Sequence, residues 1–539
     1  MSTKDSPATF KTRVNLVMVP VVVRDAKGHA VGTLHMEDFQ LADKGKPQVI
    51  VKFSAESSTP KTNKEPPLPT VPGLQTEDQT PPPDIPERFI AYLFDDTHLE
   101  FGDLVRSRDA AIRHLQTLKI TDRAAVYTTS GQNQLEFTDD KDKLRATMML
   151  IRQHSMMTPG SMIQCPDISY YMADMIINKS DSTALQLAAT EVTACSPGVT
   201  GSSAAMMAQG AASNVLGVGE QESRVSTLVL KEVVRRMSGM PGQRIILLVS
   251  PGFITPWSIQ TDKTDVLDRA IHSNVLINSL DARGLWTDPS LDASRPSNSH
   301  SAQFLTLKNQ YDRDAASAQA DVLAEMAYGT GGSFFQNNND LDEGFRRLAT
   351  APEFYYLLGF SPQNLKLDGS FHALKVKLLL KAGLDIQARK GYYAPKKLSD
   401  AAETAKQEIE EALFSRDEMS ELPVELHTQF FKTSDKDATL AVLCRMDPKH
   451  IPFRKADGRN YNTITIVSGI FDRNGNFISG LQKVVDLRLK DETLTRLMTT
   501  GMSVRTNFSV NPGTYMVRLV VRDSEGQLMA AANGAVAIP

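Results

Sequence analysis

RFIAYLFDDTHLEFGDL, residues 88–104, is the stretch from which the fold can be inferred. Residues 89–94 are all apolar, and such an unbroken run is typical of a strand buried on both faces. Two carboxylates, a threonine and a histidine follow at once. Apolar residues then recur at helical spacing from Leu104 to Leu118, and Asp103 is predicted to cap this helix. The stretch therefore predicts a buried strand, a polar loop and a helix.

The same alternation continues from 88 to about 350. Further strands are predicted at RAAVYTTS (123–130), GQRIILLVSPG (242–252) and VLINSLDARG (275–284). Helices are predicted at 139–154 and 169–194, after residue 225, and at 320–330, where GTGG ends the helix before a short strand. Strands that alternate with helices of this length indicate an α/β domain with a doubly wound, mostly parallel sheet.

The flanking segments show the two-residue period of β structure. Residues 9–54 and 352–395 are each small for an independent domain, so we predict that they pair as one sandwich, with two separate small sheets as the alternative. Residues 55–87 contain nine prolines in a polar background and indicate an extended linker. Residues 396–420 indicate a connector helix, and 421–539 a seven-strand β-sandwich.

A short motif recurs at the ends of three predicted strands. VVVRDAKG (21–28), SGIFDRNG (468–475) and LVVRDSEG (519–526) share the pattern D-x-x-G. Aspartate accepts a backbone hydrogen bond two residues further on, and glycine supplies the left-handed residue of a hairpin turn. The motif therefore predicts turns, and it is not evidence for calcium.

Composition narrows the class of protein. The net charge is −4, so no basic field suggests a nucleic-acid partner. No apolar run is long enough to span a bilayer. MSTKDSPATF shows no apolar segment of a secretory signal, which leaves open a cytoplasmic protein or an exported one whose signal was removed. Cys165, Cys195 and Cys444 form no CxxC pair, which argues against a zinc ribbon or a thioredoxin-like centre.

The order of several segments resembles the von Willebrand factor A-related (VWA) family of acidobacterial type. These segments are VVVRDAKGHAVGTLHMEDFQL, FDDTHLEFGDL, RIILLVSPGF, LAEMAYGTGGSFF, YYLLGFSP and ARKGYYAP, and they cover about 9–395. The resemblance implies a VWA-like domain over 88–350, and proteins of this family are commonly exported. It therefore implies an extracytoplasmic location. It brings no catalytic residues.

The resemblance also implies a place for a divalent cation such as Mg²⁺, which such domains bind through D-x-S-x-S after the first strand. Asp95 matches the aspartate and Thr97 the first serine, whereas Leu99 takes the place of the second serine and offers no oxygen. Thr128, Thr129 or Ser130 could contribute from a second loop. Ser250-Pro251 supplies no carboxylate where the family has an aspartate. Asp95, Thr97 and Ser130 are thus the candidate ligands of a degenerate site, and no other cofactor is expected.

Two further interpretations of the loop stay open. Asp96, His98 and Glu100 would share one face if the chain remained extended, although a tight turn should follow Asp95. Alternatively, Asp95 and Asp96 accept hydrogen bonds from loop amides. In either case we expect a binding surface at the ends of the strands, formed by Asp95, Asp96, Thr97, His98, Glu100 and Ser250.

Two other segments carry weaker signals. Cys165 and Cys195 are a candidate disulfide, with two buried thiols as the alternative, whereas Cys444 lies in a strand pattern and is predicted to be a core residue. GVTGSSAAMMAQGAASNVLGVGEQ (198–221) is small, methionine-bearing and poorly periodic, so we predict a loop there.

Three functions are compatible with these features. The favoured one is a non-enzymatic, exported binding or scaffold protein that contacts a protein partner through the loops at the C-terminal strand ends. The second is a hydrolase that uses Asp95, Asp96 and His98 as an acid-base cluster. It is disfavoured because the sequence offers no complete set of nucleophile, base and orienting residue, and Ser250 lacks the G-x-S-x-G pattern. The third is a purely structural envelope module.

Overall fold

The computed structural model describes residues 17–25, 30–57, 86–154, 165–285, 301–349, 354–362, 371–379, 383–388, 391–393, 401–414, 419–432, 434 and 436–539. Residues 58–85, which make up most of the predicted linker, lie outside this part of the chain, as do residues 26–28 of the first D-x-x-G motif. Internal contacts divide the chain into two compact units. The first unit comprises Met1–Pro67, Ala327–Ser333 and Thr350–Lys397, and the second comprises Leu68–Met326, Phe334–Ala349 and Leu398–Pro539.

Strands occur in both units. In chain order they are β1 (Val17–Arg24), β2 (Phe39–Asp43), β3 (Lys46–Gln48), β4 (Ile50–Ser57), β5 (Arg88–Phe94), β6 (Asp122–Thr128), β7 (Gln134–Thr138), β8 (Gln243–Ser250), β9 (Val275–Asp281), β10 (Phe334–Phe335), β11 (Phe354–Phe360), β12 (Phe371–Leu378), β13 (Asp385–Ala388), β14 (Gly391–Tyr393), β15 (Met419–Ser420), β16 (Val424–Lys432), β17 (Ala438–Met446), β18 (Arg454–Ala456), β19 (Arg459–Asp472), β20 (Phe477–Leu489), β21 (Met502–Val510), β22 (Gly513–Asp523) and β23 (Met529–Ile538).

The α-helices are α1 (Phe101–Leu115), α2 (Lys141–Leu150), α3 (Tyr170–Ile177), α4 (Ser182–Cys195), α5 (Gly201–Ser238), α6 (Gln260–His272), α7 (Ala302–Thr330), α8 (Leu341–Ala349), α9 (Ala401–Phe414) and α10 (Asp491–Thr500). None of the helices in the described part of the chain is both long and apolar enough to cross a membrane.

A six-stranded sheet lies at the centre of the α/β part of the second unit. Its strand order is β10-β9-β8-β5-β6-β7, and all neighbours are parallel except β6 and β7. The predicted mixed α/β class with a mostly parallel sheet is therefore confirmed. β5 is central and pairs in register with β6 and β8, which explains why residues 89–94 are apolar without interruption.

Helices cover both faces of this sheet. Ile90, Tyr92 and Phe94 face a core that they share with α1, α2 and α8. Their neighbours along β5 face the opposite core, which they share with the C-terminal half of α5, with α6 and with α7. The prediction that Asp103 caps α1 is wrong. Glu100 precedes the helix, and Asp103 lies in its first turn, where it pairs with Arg106.

A helical arm extends from the α/β part. We define it as α3, α4, residues 201–218 of α5 and residues 302–312 of α7, which share one apolar core. The loop predicted over 198–221 is wrong, because residues 201–221 begin a helix of 38 residues. Small residues at four-residue spacing, Ala204, Ala208 and Ala212, are buried and allow close packing between helices. The helix predicted over 169–194 is interrupted at Ser180, which has a φ of 54°.

The first unit contains two four-stranded sheets, of order β13-β1-β11-β4 and β14-β12-β2-β3. In the first sheet, β1 pairs antiparallel with β11 and β13, so strands of the N-terminal segment alternate with strands of 354–393. In the second sheet, β2 pairs with β12, which joins two strands of each segment. Valines of β1 and aromatic residues of β2 and β11 form one apolar core. Lys44 and Gly45 form the tight turn of the hairpin between β2 and β3, with φ angles of 46° and 80°.

The C-terminal part of the second unit also contains two sheets. One has the order β15-β23-β22-β19-β18, with β20 paired to β19, and the other has the order β16-β17-β21. These nine strands exceed the predicted seven, and β15 and β18, with two and three residues, are too short to show a pattern of alternation. α9 packs on the outer face of the larger sheet and occupies part of the predicted connector.

The second D-x-x-G turn joins these two parts of the second unit. Asp472 accepts hydrogen bonds from the amides of Asn474 and Asn476, both at 2.8 Å, and Gly475 has a φ of 84°. A side chain at Gly475 would collide with the ring of Phe89, at the N-terminal end of β5. Arg123 Nε of β6 donates to the Arg473 carbonyl at 3.0 Å. The turn thus lies beneath the N-terminal ends of the central strands.

Candidate functional site

The polar loop begins where β5 ends. The Asp95 amide donates to the Val249 carbonyl at 2.9 Å, so Asp95 continues the sheet for one more residue. The Leu99 amide then donates to the Asp95 carbonyl at 3.0 Å and closes a tight turn. Because of this turn, Asp96, His98 and Glu100 do not share one extended face. They point to three different environments.

Asp95 accepts hydrogen bonds from side chains of three loops at the C-terminal ends of β5, β6 and β8. Thr129 Oγ1 donates to Oδ1 at 2.9 Å, and Ser250 Oγ donates to Oδ2 at 2.5 Å. His98 Nδ1 lies 2.9 and 3.0 Å from the two oxygens. We call Asp95, His98, Thr129 and Ser250 the strand-end cluster. It ties three adjacent loops to one carboxylate.

Asp96 binds the loop after β6. Ser130 donates twice, from Oγ to Oδ2 at 2.6 Å and from its amide to Oδ1 at 2.9 Å, and Thr129 Oγ1 lies 3.1 Å from Oδ1. His154 Nδ1 lies 3.5 Å from Oδ2. The two adjacent aspartates thus hold the same loop from two sides, which agrees with the prediction that they accept loop hydrogen bonds.

The cluster contains opposite charges away from water. Burial alone would raise the pKa of Asp95, but the charge of His98 and the hydrogen bonds from His98, Ser250 and Thr129 outweigh burial and lower it. Burial would lower the pKa of His98, but Asp95, followed by Glu222 and Asp96, raises it. Burial raises the pKa of Asp96 despite its hydrogen bonds to Ser130. Asp95 and His98 therefore form an internal ion pair.

His98 has one ring nitrogen engaged and one free. Its ring stacks on Phe253, with centroids 5.4 Å apart and planes inclined by 19°. Nε2 is buried and has no hydrogen-bond partner among the described residues. In native proteins most buried ring nitrogens bond to a polar group or to an ordered water.

The residues do not fit a divalent cation. Both oxygens of Asp95 already accept hydrogen bonds, and the imidazole of His98 lies where it neutralises the carboxylate. Leu99 is fully buried in the apolar core shared with α1. The candidate ligands Thr97 and Ser130 bond to Thr129 and Asp96. Across the part of the chain that the structure describes, no three His, Cys, Asp or Glu side chains form a metal-binding group.

The predicted binding surface needs a correction. Asp95, Asp96 and Ser250 have no exposed surface, Thr97 is buried and the His98 side chain is only 14% exposed. These residues are inaccessible because they bond to one another beneath the surrounding loops and helices. Glu100 alone of the predicted set is exposed. The cluster therefore organises the strand ends from inside and does not form their surface.

Large apolar side chains are exposed on the loops around the cluster. Phe101, which begins α1, is 66% exposed, Trp257 after β8 is 92% exposed, and Leu285 after β9 is 53% exposed. The three loops follow neighbouring strands of the sheet. Arg106 Nη2 of α1 lies 3.4 Å from the Arg283 carbonyl and links two of them. We call Phe101, Trp257 and Leu285 the apolar rim.

Sequence reasoning missed two groups near His98. Phe253 is separated from Ser250 by Pro251 and Gly252, and only the fold brings its ring onto the imidazole. Glu222 lies within α5, just after the segment predicted as a loop, and is buried. Its signal was present, since a charged residue interrupts the apolar spacing that continues at Leu230 and Val233.

The cysteines lie in two places. Cys165 and Cys195 are joined as a disulfide at the surface of the helical arm, with Cα atoms 6.4 Å apart, and Cys444 is a buried thiol in β17. Burial raises the pKa of the Cys444 thiol to about 12. Cys444 is therefore unreactive. Mass measurement with and without reductant tests the oxidation state of the other two.

A hydrolytic triad is not assembled. Ser250 donates its hydroxyl proton to Asp95, whereas a serine activated by histidine donates to the imidazole. In the described part of the chain, no hydroxyl donates to His98 Nε2. The order of contacts is therefore serine–aspartate–histidine, which orients the three groups but does not activate a nucleophile.

Comparison with known proteins adds little to this picture. No family model matches the chain, and no curated protein matches it. Among solved structures, a β-glucuronidase of Bacteroides uniformis matches with 17% identity over 21% of this chain and 13% of its own, at a TM-score of 0.14. The TFIIH p34 N-terminal domain matches with 10% identity over 50% of this chain and 99% of its own, at a TM-score of 0.20. PorU of Porphyromonas gingivalis matches with 12% identity over 35% and 14%, at a TM-score of 0.13. These likenesses are too weak to carry an argument, and the chain spans less than a sixth of the β-glucuronidase.

Proposed function

We propose that this chain is a non-enzymatic binding module related to VWA domains, and that it contacts a protein partner through the loops at the C-terminal strand ends. The observation that carries the proposal is the contrast between a buried, fully engaged Asp95 and the exposed apolar rim around it. A carboxylate that is neutralised by His98 needs no cation, whereas exposed aromatic side chains are common anchors of protein interfaces. Recognition is therefore independent of metal.

The cluster supports this function by fixing the loops. Asp95 bonds to the loops after β5, β6 and β8 at once, so the backbone around Phe101 and Trp257 is held before a partner arrives. Preorganised loops lose less conformational entropy on binding. Exposed apolar groups that lie on adjacent loops mark an interaction surface more often than scattered ones do.

The partner is a protein, and the site of action is outside the cytoplasm. The net charge of −4 offers no field that would attract nucleic acid. The resemblance to exported proteins supports a periplasmic or secreted location. The disulfide contact of Cys165 and Cys195 fits an oxidising compartment.

Affinity capture from an envelope extract tests the proposal. The tagged chain should retain a discrete protein, and Trp257→Ala should lower its recovery at least tenfold, since a buried aromatic anchor is commonly worth about 2 kcal/mol or more. Ile120→Ala is the matched control, because Ile120 is 67% exposed but precedes β6 at the opposite end of the sheet. Equal recovery by all three proteins, or no captured protein, would favour a purely structural module.

One observation supports a second candidate, an acid-base enzyme. His98 is oriented by Asp95 through Nδ1, and its Nε2 is free of protein partners within the described residues. Turnover of an ester, phosphate or peptide panel by the wild type, lost in His98→Asn, would favour this candidate. Absence of turnover together with Trp257-dependent capture favours the binding module.

A further inference from the structure

The middle of α5 carries a buried polar stripe that neither face of the sheet explains. Gly219, Glu222, Ser223, Ser226 and Thr227 recur at helical spacing and are all buried. The buried face of α5 is apolar before and after these residues. Alanines line it towards the N-terminus, and Leu230, Val233, Val234 and Met237 line it towards the C-terminus. We call the five residues the polar seam.

The polar seam lies level with the strand-end cluster. α5 ends at Ser238, and β8 then runs in the opposite direction from Gln243 to Ser250, rising about 23 Å. The 16 residues from Ser238 back to Glu222 rise about 24 Å. The residues of β5 and β8 that alternate onto the α5 face lead to Asp95 and Ser250 at its upper end. The seam therefore faces the cluster, and the charge of Glu222 acts on His98.

Several buried polar groups at the polar seam lack good hydrogen bonds. Ser226 Oγ and His98 Nε2 are buried and have no hydrogen-bond partner in the described part of the chain. The hydroxyls of Tyr170 and Ser223 interact but do not form a hydrogen bond of good geometry. Each buried polar group left in this state shifts an equilibrium towards hydration by roughly fivefold to a hundredfold. Opening of the seam to water is therefore favourable for these groups.

The two halves of α5 on either side of the seam belong to different cores. The first half packs with α3, α4 and α7 in the helical arm, and the Tyr170 ring lies directly on Gly219, where an added Cβ would come within 2.5 Å of it. The second half packs on the sheet. A boundary between two cores that is itself polar and under-bonded is where a helix separates most readily.

We propose that the polar seam, together with the helical arm that continues from it, is a cover over the strand-end cluster, and that a protein partner binds fully only when the polar seam opens and exposes His98 and Phe253. This inference rests on the proposed function, because it assigns the partner to the same strand-end loops. The closed arrangement is the autoinhibited form. The apolar rim then makes the first contact, and opening adds the stacked imidazole and phenyl rings to the interface.

Hydrogen exchange of the full chain, without any partner, tests the cover. Amides of 219–227 and of 95–100 should exchange together, and faster than those of 230–237. The double variant S223A and S226A removes two poorly satisfied hydroxyls and should slow exchange in both segments about tenfold. Ser213→Ala is the matched control, since Ser213 lies on the exposed side of α5 and should leave exchange unchanged.

A second variant, expected to speed exchange instead of slowing it, excludes misfolding as the explanation. Ser226→Asp places a second carboxylate one turn from Glu222, and it should speed exchange at the seam about tenfold and raise recovery of the partner. Exchange at 219–227 as slow as at 230–237, and insensitive to both variants, overturns the cover. Loss of capture in Trp257→Ala alongside that result leaves the proposed function standing. Opening of the polar seam without Trp257-dependent capture supports the cover and contradicts the proposed function.

Discussion

Among the residues that the structure describes, each unit contains a buried aspartate–histidine pair. In the first unit, His372 Nδ1 of β12 lies 3.1 Å from both oxygens of Asp43 of β2, and the Tyr392 hydroxyl of β14 donates to Asp43 at 2.9 Å. In the second unit, His98 makes the corresponding contact with Asp95. The pair in the sandwich joins three strands, whereas the pair at the sheet edge joins three loops. The same chemistry thus joins strands in a core in one place and fixes loops at the strand ends in the other.

Removal of each carboxylate should give the largest contrast. Asp95→Ala leaves His98 buried next to Glu222 without its counter-ion, and we expect a loss of about 3–5 kcal/mol in the free energy of unfolding of the second unit. Asp43→Ala removes hydrogen-bond acceptors from His372 and Tyr392 and should cost about 1–3 kcal/mol in the first unit. Guanidinium unfolding followed by tryptophan fluorescence reports on the second unit, because both tryptophans, 257 and 286, lie there. Hydrogen exchange in β11 reports on the first unit.

The comparison fails if the two substitutions have equal effects on their own units. It also fails if Asp43→Ala shifts the tryptophan transition as much as Asp95→Ala does. Either result would mean that the charges of Asp95 and His98 add no more to stability than the hydrogen bonds of Asp43 do.

The pH dependence of the free energy of unfolding should give the second-largest contrast between the pairs. The pKa of His98 is raised above 6.5, so its contribution to stability is complete below that pH and is lost as pH rises through the folded-state value. The pKa of Asp95 is lowered below 3.8, so its contribution is complete above that pH and is lost as pH falls through the folded-state value. We expect the tryptophan-monitored stability to be highest between these limits.

His98→Asn should flatten the alkaline side of this profile. His372→Gln, which leaves the Asp95 pair intact, should not change it. A profile that survives in His98→Asn would assign the titration to another group.

Hydroxyl deletions should give smaller effects. Ser250→Ala removes a hydrogen bond to a charged carboxylate and the acceptor of the Gly252 amide, and we expect a loss of about 1.5–3 kcal/mol. Tyr392→Phe removes a hydroxyl from Asp43 and should cost about 1 kcal/mol. Thr264→Ala, on the exposed side of α6, is the control and should change stability by less than about 0.5 kcal/mol. A larger loss in Tyr392→Phe than in Ser250→Ala would reverse the comparison.

Magnesium should have the smallest effect on either pair. Titration calorimetry with Mg²⁺ and Mn²⁺ should show no saturable heat, because the oxygens of Asp95 are engaged by His98, Thr129 and Ser250. Micromolar binding that disappears in Asp95→Ala would contradict the internal ion pair and restore the cation site.

Local sequence signals predicted much of the second unit. The unbroken run at 89–94 identified the central strand, and the three-residue spacing of Asp95 and His98 placed both in one loop. Ser250 was found because it follows the next buried strand in a matching position. These features were predictable because each depends on neighbours in sequence or on the common edge of parallel strands.

Other features depend on contacts that the sequence does not encode locally. Asp43 and His372 are 329 positions apart, and no spacing links them. The first half of α5 was predicted as a loop because its alanines and glycines carry little amphipathic signal, yet they are the residues that permit close packing with α3 and α4. The polar seam is likewise recognisable only when α5 is known to be one helix.

The turn at 472–475 has a mechanical consequence. It contacts the sheet at Phe89 and Arg123, where β5 and β6 start, whereas the apolar rim lies where β5, β8 and β9 end. If a partner binds the apolar rim as proposed, a pull between it and the C-terminal sandwich would run lengthwise along the strands. Such a load would shear the interstrand hydrogen bonds of β5, β6 and β8 together and would not open them one at a time.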